Sequence, residues 1–171
     1  MPSTRLLMLS IGVVSLAVVG GGLYFSQVMN LAACSLCIVQ RMLYISIGLL
    51  CLIAALPPVG KSGTNTFVRT MAALAAVTSV CGVGVASYQS WLQRFDIISE
   101  CGINPSWWEK LVYWAGDQLP WLFSANGLCE DSAWFFLGLS IAEWSLVIFV
   151  IFFLISLSVI IRPKRKLMFC D

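Results

Sequence analysis

Two cysteines separated by two residues carry the strongest chemical signal in this sequence. Cys34 and Cys37 have the spacing of thiol redox motifs, in which both sulfurs reach one another at the start of a helix. Arg41 follows Cys37 by four residues, one turn along the same helical face. The N–H groups at a helix start and a permanently charged guanidinium both stabilise thiolate, the reactive form of cysteine. The pattern therefore predicts electron transfer through Cys34 and Cys37.

Two more cysteines, Cys101 and Cys129, are predicted to lie on the same side of the membrane as the first pair. They are 28 positions apart and can pair only by closing the intervening loop. An all-cysteine zinc site and two inert structural disulfides are alternatives, although the second pair lacks the two-residue spacing typical of zinc sites. A disulfide across the short Cys34–Cys37 ring would remove little loop entropy. The other three cysteines are interpreted as apolar or idle residues: Cys51, Cys81 and Cys170.

The elements that must position these residues are membrane helices. The chain is 60% hydrophobic and 11% charged, whereas roughly 25% of residues are charged in an average soluble domain. A helix needs about 20 apolar residues to cross a hydrocarbon core of about 30 Å. Four stretches predict transmembrane helices near residues 6–28, 38–56, 67–89 and 144–161. The predicted fold is all-α, an integral membrane four-helix bundle forming a single domain over residues 1–171.

The basic residues predict how this bundle is oriented. Seven of them fall on the side that the two termini share: Arg5, Lys61, Arg69, Arg162, Lys164, Arg165 and Lys166. Only Arg94 and Lys110 lie in the long opposite loop, residues 90–143. The positive-inside bias therefore predicts cytoplasmic termini and cysteine pairs that face outward, where disulfides persist.

The long outer loop is predicted to contain a short helix, because a loop of this length exceeds what a simple connection needs. Asn104 is a candidate N-cap and Pro105 a first-turn residue of a helix reaching Ala115. Its apolar residues recur at near-helical spacing: Trp107, Trp108, Leu111 and Trp114. Since tryptophan favours the membrane–water boundary, we predict an interfacial helix that tethers the loop to the bilayer. Packing of these tryptophans against the loop itself is the alternative.

The position of the first cysteine pair at the membrane boundary indicates its electron acceptor. A quinone dissolved in the bilayer can reach the pair from the side, accepts two electrons and two protons, and offers carbonyl oxygens to Arg41. An ionisable residue at the edge of a membrane span is a functional candidate, although Arg41 could instead extend to the lipid headgroups. The chain has no histidine and no metal or flavin signature.

A lipoprotein signal is the competing interpretation of the first apolar segment. Leu31-Ala32-Ala33-Cys34 resembles a lipoprotein cleavage site. The preceding apolar run exceeds about 20 residues, whereas the core of a signal peptide has roughly 7 to 15. Gln27 and Asn30 also intervene before the cysteine. A membrane helix is therefore preferred.

The motif Cys34-Ser35-Leu36-Cys37-Ile38-Val39-Gln40-Arg41 resembles the Cys-x-x-Cys-Ile-x-x-Arg signature of the disulfide bond formation protein B (DsbB) family. Phe25-Ser26-Gln27-Val28-Met29 precedes it in the expected place, and two loop cysteines follow at the expected distances. Trp134-Phe135-Phe136-Leu137-Gly138-Leu139 leads into the last helix. The resemblance covers essentially the whole chain.

This resemblance implies a protein of the bacterial inner membrane that oxidises DsbA, a periplasmic thioredoxin-fold partner, and passes the electrons to ubiquinone or menaquinone. It implies that Cys101 forms the mixed disulfide with the partner and that Cys129 is its loop mate. Cys34 would exchange disulfides with the loop pair, Cys37 would contact the quinone, and Arg41 would hold it. No nucleic-acid partner is expected.

The sequence departs from some family members at the outer end of the third helix. Those members have a histidine there, where this chain has Ser87-Tyr88-Gln89-Ser90-Trp91. Two rival classes also remain: a vitamin K epoxide reductase-like enzyme, whose quinone-side pair lies late in its bundle, and a membrane scaffold stapled by disulfides without catalysis.

Overall fold

The computed structural model describes residues 4–56, 62–95, 107–125, 127 and 135–161. The elements in chain order are α1 (Thr4–Gln27), α2 (Ser35–Ala55), α3 (Ser62–Phe95), α4 (Trp107–Gln118), α5 (Pro120–Phe123), β1 (Phe135–Phe136), β2 (Leu139–Ser140) and α6 (Ile141–Ile161). Helices α1, α2, α3 and α6 are each long and apolar enough to cross a membrane. The predicted all-α membrane four-helix bundle is confirmed, and the chain is a multi-pass membrane protein.

All four spanning helices begin before the apolar segments that predict them, and α2 and α3 show two reasons for the difference. Helix α2 begins three residues before its predicted start because Cys34 caps it. Helix α3 has 34 residues, about 51 Å at 1.5 Å per residue, and so exceeds a hydrocarbon core of about 30 Å. Hydropathy marks only the part of a helix that matches lipid, whereas hydrogen bonding continues α3 to Phe95. Its outer turns therefore carry Gln89 and Gln93 at the mouth of the bundle.

The four spanning helices form an incomplete ring. Helix α1 packs on α2, α2 on α3, and α3 on α6, while α1 and α6 scarcely touch. The core between them is closed by buried apolar side chains that include Met8, Ile11, Ile47 and Phe149. A bilayer interior favours paired polar groups, and the Tyr44 hydroxyl lies 2.9 Å from Ser145 Oγ. Among the described residues, the buried Ser156 Oγ and Gln93 Oε1 have no hydrogen-bond partner. The side between α1 and α6, here called the open gap, is therefore the least closely packed side of the ring.

The outer ends of α3 and α6 are joined by an ion pair between Arg94 and Glu143. Glu143 also accepts a hydrogen bond of 2.9 Å from the Ser140 backbone N–H, and the Glu143 N–H donates to Ser140 Oγ at 3.3 Å. This reciprocal pair is a capping box, which satisfies N–H groups at the start of α6. The α6 start is therefore fixed relative to α3, beside the open gap.

The outer loop contains the predicted helix and a hairpin that the sequence patterns did not predict. Helix α4 buries Val112 and Ala115, while Trp107 is 80% exposed and Trp114 64% exposed. These exposed tryptophans match an interfacial helix. The half-buried Trp108 instead packs against the bundle, on the cluster formed by Cys34, Leu36 and Leu92. The strands β1 and β2 form a two-residue antiparallel hairpin, too short for a period-two pattern. Asn104 and Pro105 lie outside the described residues.

Close packing of α3 on α6 depends on a glycine, and this gives a stability prediction. A Cβ built at Gly82 would lie 2.4 Å from the Phe149 ring, whereas one at Gly84 would meet nothing within 4 Å. Forcing a methyl group into a packed core costs about 1–3 kcal/mol. We expect Gly82→Ala to lower the thermal unfolding midpoint in detergent and Gly84→Ala to leave it unchanged. Equal midpoints for the two variants would contradict this packing.

Candidate functional site

The start of α2 brings the first cysteine pair together. Cys34 is the N-cap residue, with extended backbone (φ −84°, ψ 168°), and its sulfur accepts a hydrogen bond of 3.3 Å from the Cys37 N–H. The two Sγ atoms lie 3.2 Å apart, close to one another yet beyond a disulfide bond length of about 2.05 Å. A sulfur at a helix N-cap accepts hydrogen bonds from backbone N–H groups and lies at the positive end of the helix dipole. Both interactions stabilise the thiolate. Cys34 is only 2% exposed, so its sulfur is shielded from water.

Gln89 contacts the sulfur pair, and Gln40 from the neighbouring helix holds Gln89 in place. Gln89 of α3 donates through Nε2 to Cys37 Sγ at 3.1 Å and to Cys34 Sγ at 3.5 Å. Its Oε1 accepts a hydrogen bond of 2.8 Å from Nε2 of Gln40 on α2. Both glutamines are buried, at 6% exposure for Gln40 and 2% for Gln89. The amide of Gln89 is therefore fixed with its donor side toward sulfur.

Arg41 is buried inside the bundle rather than extended to lipid headgroups. It is 7% exposed, and its Nη2 donates to the Gly22 carbonyl of α1 at 3.2 Å. Its Nη1 donates to the Leu122 carbonyl of α5. A guanidinium has five N–H donors, so this arrangement anchors Arg41 with two of them and leaves others to meet a ligand. The positive charge is thus held in a place where water is scarce.

A cavity of about 400 Å³ joins these groups. The polar groups that surround the sulfurs come from the start of α2 and from α3: Cys34, Cys37, Gln40, Arg41, Gln89 and Gln93. Three serines from α1, the hairpin and α6 also line the cavity: Ser26, Ser140 and Ser145. Apolar walls come from α1, the hairpin and α6, and include Val18, Phe25, Phe136, Trp144 and Ile148. The hairpin is held over it because the Trp144 indole donates to the Phe136 carbonyl at 3.0 Å. The volume lies within the range of small-molecule sites, about 300–1,000 Å³, and α1 and α6, which flank the open gap, form two of its sides.

Part of the outer loop is docked by its backbone next to the cysteine pair. The Gly127 N–H donates to the Ala33 carbonyl at 3.0 Å, and Gly127 forms an isolated parallel bridge with Cys34. A Cβ built at Gly127 would lie 2.3 Å from the Ala32 carbonyl oxygen, so the two backbones approach closely only because residue 127 is glycine.

The remaining cysteines are placed as follows. Cys101, Cys129 and Cys170 lie outside the described residues. Cys51 is buried in the core and Cys81 is exposed on α3. Within the part of the chain that the structure describes, no three histidine, cysteine or acidic residues cluster closely enough to bind a metal ion.

Sequence reasoning missed Gln89, which contacts both sulfurs, and Gln40, which contacts Gln89. Gln40 and Gln89 both fall inside predicted membrane spans, where a polar side chain is costly and is therefore itself a functional signal. Their pairing joins residues 49 positions apart, which local periodicity does not reveal. The role of Gly127 depends on a backbone contact between two loops, for which the sequence offers no signal.

The arrangement supports two-electron chemistry between a dithiol and a small apolar acceptor. Donors from a helix start and Gln89 stabilise negative charge on sulfur. Arg41 stabilises negative charge developing on an oxygen placed in the cavity. Both groups act in a space with apolar walls, where electrostatic interactions are stronger than in water.

Comparisons with known proteins agree with this chemistry. Residues 4–159 match the family model described as disulfide bond formation protein DsbB. A disulfide bond formation protein B of Dechloromonas aromatica is 39% identical over 91% of this chain and 92% of its own length. One from Aromatoleum aromaticum is 36% identical over 95% of each chain. One from Herminiimonas arsenicoxydans is 33% identical over 96% of this chain and 99% of its own length.

Proposed function

Because the chain belongs to the DsbB family of disulfide bond formation proteins, we propose that it transfers electrons from a periplasmic DsbA-like dithiol protein to a membrane quinone. Members of this family are membrane thiol oxidoreductases, and membership in it replaces the vitamin K epoxide reductase-like alternative. The proposal goes beyond family membership in four respects: the electron acceptor, the protein partner, the orientation in the membrane and the roles of individual residues.

The proposed reaction consists of two disulfide exchanges and one oxidation. A thiolate of the partner attacks Cys101 in a Cys101–Cys129 disulfide, and the partner's second thiolate then displaces Cys101, which leaves the partner oxidised and the loop pair as a dithiol. The loop dithiol reduces a Cys34–Cys37 disulfide in the same way. The inner dithiol finally gives two electrons and two protons to a quinone and is reoxidised to a disulfide. Cys37 faces the cavity in this scheme, and Cys34 exchanges with the loop.

The residues present fit a quinone head group. A quinone accepts hydrogen bonds at its carbonyl oxygens and donates none, so the side chains that face it must be donors. Arg41 supplies N–H donors in the cavity, beside the apolar walls formed by Phe25 and Trp144. When bound, the quinone supplies an acceptor for two electrons and two protons. The gap between α1 and α6 gives it a lateral path from the bilayer.

The direction of electron flow follows from relative reduction potentials. DsbA is a strong oxidant with a potential near −120 mV, so its dithiol gives up electrons only to a more oxidising acceptor. Donors around the Cys34–Cys37 pair stabilise its reduced form and so make it more oxidising. In a bacterial inner membrane with both termini in the cytoplasm, as the basic residues predict, the docked Gly127 segment and the cysteine pair face the periplasm, where such a partner resides.

One observation carries this proposal: the sulfur pair and the buried guanidinium of Arg41 line the same cavity at the open side of the bundle. The test uses the purified chain in lipid nanodiscs with a reduced thioredoxin-fold dithiol protein and a short-chain ubiquinone or menaquinone. We expect loss of quinone absorbance in proportion to the dithiol oxidised. If the absorbance of neither ubiquinone nor menaquinone decreased, the result would favour the disulfide-stapled scaffold instead.

The docking of Gly127 beside Cys34 makes a further prediction about electron transfer from the loop. Cys129 follows Gly127 by two residues in the sequence, and an added Cβ would force the loop backbone away from Ala32. Loss of one buried hydrogen bond costs about 1–1.5 kcal/mol, or roughly tenfold in a rate that depends on it. We expect Gly127→Ala to slow partner-driven quinone reduction by roughly tenfold.

The direct oxidation of prereduced Cys34 and Cys37 by quinone should be unaffected in Gly127→Ala. Gly20→Ala is the control, because a Cβ at Gly20 meets nothing within 4 Å. Equal partner-driven rates for the two glycine variants would show that the docking has no part in the transfer.

A further inference from the structure

The strongest unassigned feature is the pair of buried glutamines behind the cysteine site. We propose that Gln89 is a positioning residue that raises the reduction potential of the Cys34–Cys37 pair through its amide donors, and that Gln40 acts on the potential only by orienting Gln89. This inference rests on the proposed function, because it concerns the same redox pair. It assigns a role to two residues, Gln40 and Gln89, in addition to the cysteines of the Cys-x-x-Cys motif and Arg41.

The hydrogen-bond directions carry the first step. Gln89 Nε2 has two hydrogens and lies 3.1 Å from Cys37 Sγ and 3.5 Å from Cys34 Sγ, so it can donate to both sulfurs. A thiolate sulfur is a far stronger acceptor than a disulfide sulfur, because hydrogen bonds to charged groups are about twice as strong as neutral ones. The same contacts therefore stabilise the reduced pair more than the oxidised pair, and the potential rises.

The Gln40 contact carries the second step. A side-chain amide can turn over and exchange its oxygen and nitrogen positions, which would replace the donors by an acceptor beside sulfur. Gln40 Nε2 donates to Gln89 Oε1 at 2.8 Å, and this bond is lost if the Gln89 amide turns over. Since both side chains are buried, water does not compensate for the loss. Gln40 thus fixes the donor orientation without needing to touch a sulfur itself.

The choice of a neutral donor has a physical reason. A second cation beside Arg41 would have to be desolvated in the membrane and would repel the guanidinium already buried there. An amide stabilises negative charge on sulfur while adding no charge of its own. It also has no titrating group, so its contribution persists across the physiological pH range. Gln89 therefore complements the helix start and Arg41 rather than duplicating them.

The test measures the equilibrium of the inner pair with glutathione redox buffers, using the full-length chain in quinone-free detergent. Acid quenching, alkylation and mass spectrometry of the peptide that contains Cys34 and Cys37 give its oxidation state. We expect Gln89→Leu to shift the equilibrium constant roughly tenfold toward the disulfide, which is about 30 mV for two electrons. Gln89→Glu, which keeps the shape but removes the donors and adds negative charge, should shift it further in the same direction.

The Gln40 variants separate positioning from direct contact. Gln40→Leu should shift the equilibrium in the same direction as Gln89→Leu but by less, and the double variant should match Gln89→Leu alone. An equilibrium within twofold of wild type for Gln89→Leu would overturn the proposal, and additive shifts in the double variant would overturn the role of Gln40. Both leucine variants substitute apolar for polar residues in membrane helices, and their melting temperatures check the fold.

Failure of this inference is distinguishable from failure of the proposed function. The glutathione equilibrium involves neither quinone nor the dithiol partner, and wild-type quinone reduction is measured on the same preparation. If wild type reduces quinone while Gln89→Leu keeps the wild-type equilibrium, only the inference about the glutamines falls.

Discussion

Replacing Cys37 by serine should abolish quinone reduction, whereas replacing Cys101 and Cys129 by serine should abolish only the reaction with the dithiol partner. Without the Cys37 sulfur the inner disulfide cannot form, so no electrons leave for the quinone whatever the donor. Without the loop cysteines the partner has no loop disulfide to attack, but the inner pair keeps its hydrogen bonds to Gln89. The losses should each reach the background rate of the assay.

Two measurements separate these effects. With the reduced partner as electron donor, the quinone absorbance should not decrease over time for either variant. In the second measurement the protein is reduced with a small dithiol, desalted and mixed with quinone. The loop variant should then lose two alkylatable thiols, from Cys34 and Cys37, as the quinone is reduced, and Cys37→Ser should lose none.

Cys81→Ser is the matched control, because Cys81 is an exposed cysteine on α3 that does not line the cavity. It should behave as wild type in both measurements. Partner turnover that persists in the loop variant would show that electrons enter through another cysteine. An inner pair that quinone fails to oxidise in the loop variant would contradict the direct contact between the two.

The sequence predicts the bundle well because lipid imposes a simple rule. Segments without charge must be long enough to cross the hydrocarbon core, and a single segment satisfies its own backbone hydrogen bonds there only as a helix. The position of Cys34 and Cys37 at a helix start was predictable for a different reason, since their two-residue spacing is typical of thiol redox motifs. These features depend only on residues that are close together in the sequence, so the sequence alone is enough to predict them.

The rest of the site depends on contacts between distant segments. Gln89 lies on α3, more than fifty positions along the chain from the two cysteines whose sulfurs it contacts. Arg41 is anchored by the carbonyls of Gly22 and Leu122, which belong to two other helices. Periodicity assigns each residue to a helical face but does not say which helix lies opposite. The hairpin that places Phe136 over the cavity has only two residues in each strand, too few for any repeat to show.

The incomplete ring of helices connects this architecture to the chemistry. The ion pair of Arg94 with Glu143 and the close approach at Gly82 fix α6 to α3, while α1 is fixed to α2. The side left open is therefore the one between α1 and α6, and the cavity lies there. In the proposed function, a lipid-soluble acceptor reaches the sulfur pair from the bilayer, while a water-soluble protein approaches from the long loop. Two substrates of opposite solubility would then use separate faces of one site.

Arg41→Ala should weaken apparent quinone affinity by roughly tenfold to a hundredfold, since a hydrogen bond from a charged donor contributes about 1.5–3 kcal/mol and each 1.4 kcal/mol is a factor of ten. Arg41→Lys should give an intermediate value. An ammonium keeps the charge, but it lacks the planar fork that binds the Gly22 and Leu122 carbonyls while presenting a donor to the cavity. The measurement is the quinone concentration at half-maximal rate, with the reduced partner in excess.

The control for Arg41 must separate quinone binding from the docking of α5, because Arg41 also binds the Leu122 carbonyl. Gln27 supplies that separation, since its Nε2 donates to the Trp121 carbonyl at 2.9 Å and it does not line the cavity. Gln27→Ala should loosen α5 while leaving apparent quinone affinity within about twofold of wild type, a change under about 0.5 kcal/mol. If Gln27→Ala weakened the affinity as much as Arg41→Ala, the arginine would act through α5. If Arg41→Ala left the affinity unchanged, the guanidinium would have no part in holding the quinone, and the cavity would bind it through its apolar walls alone.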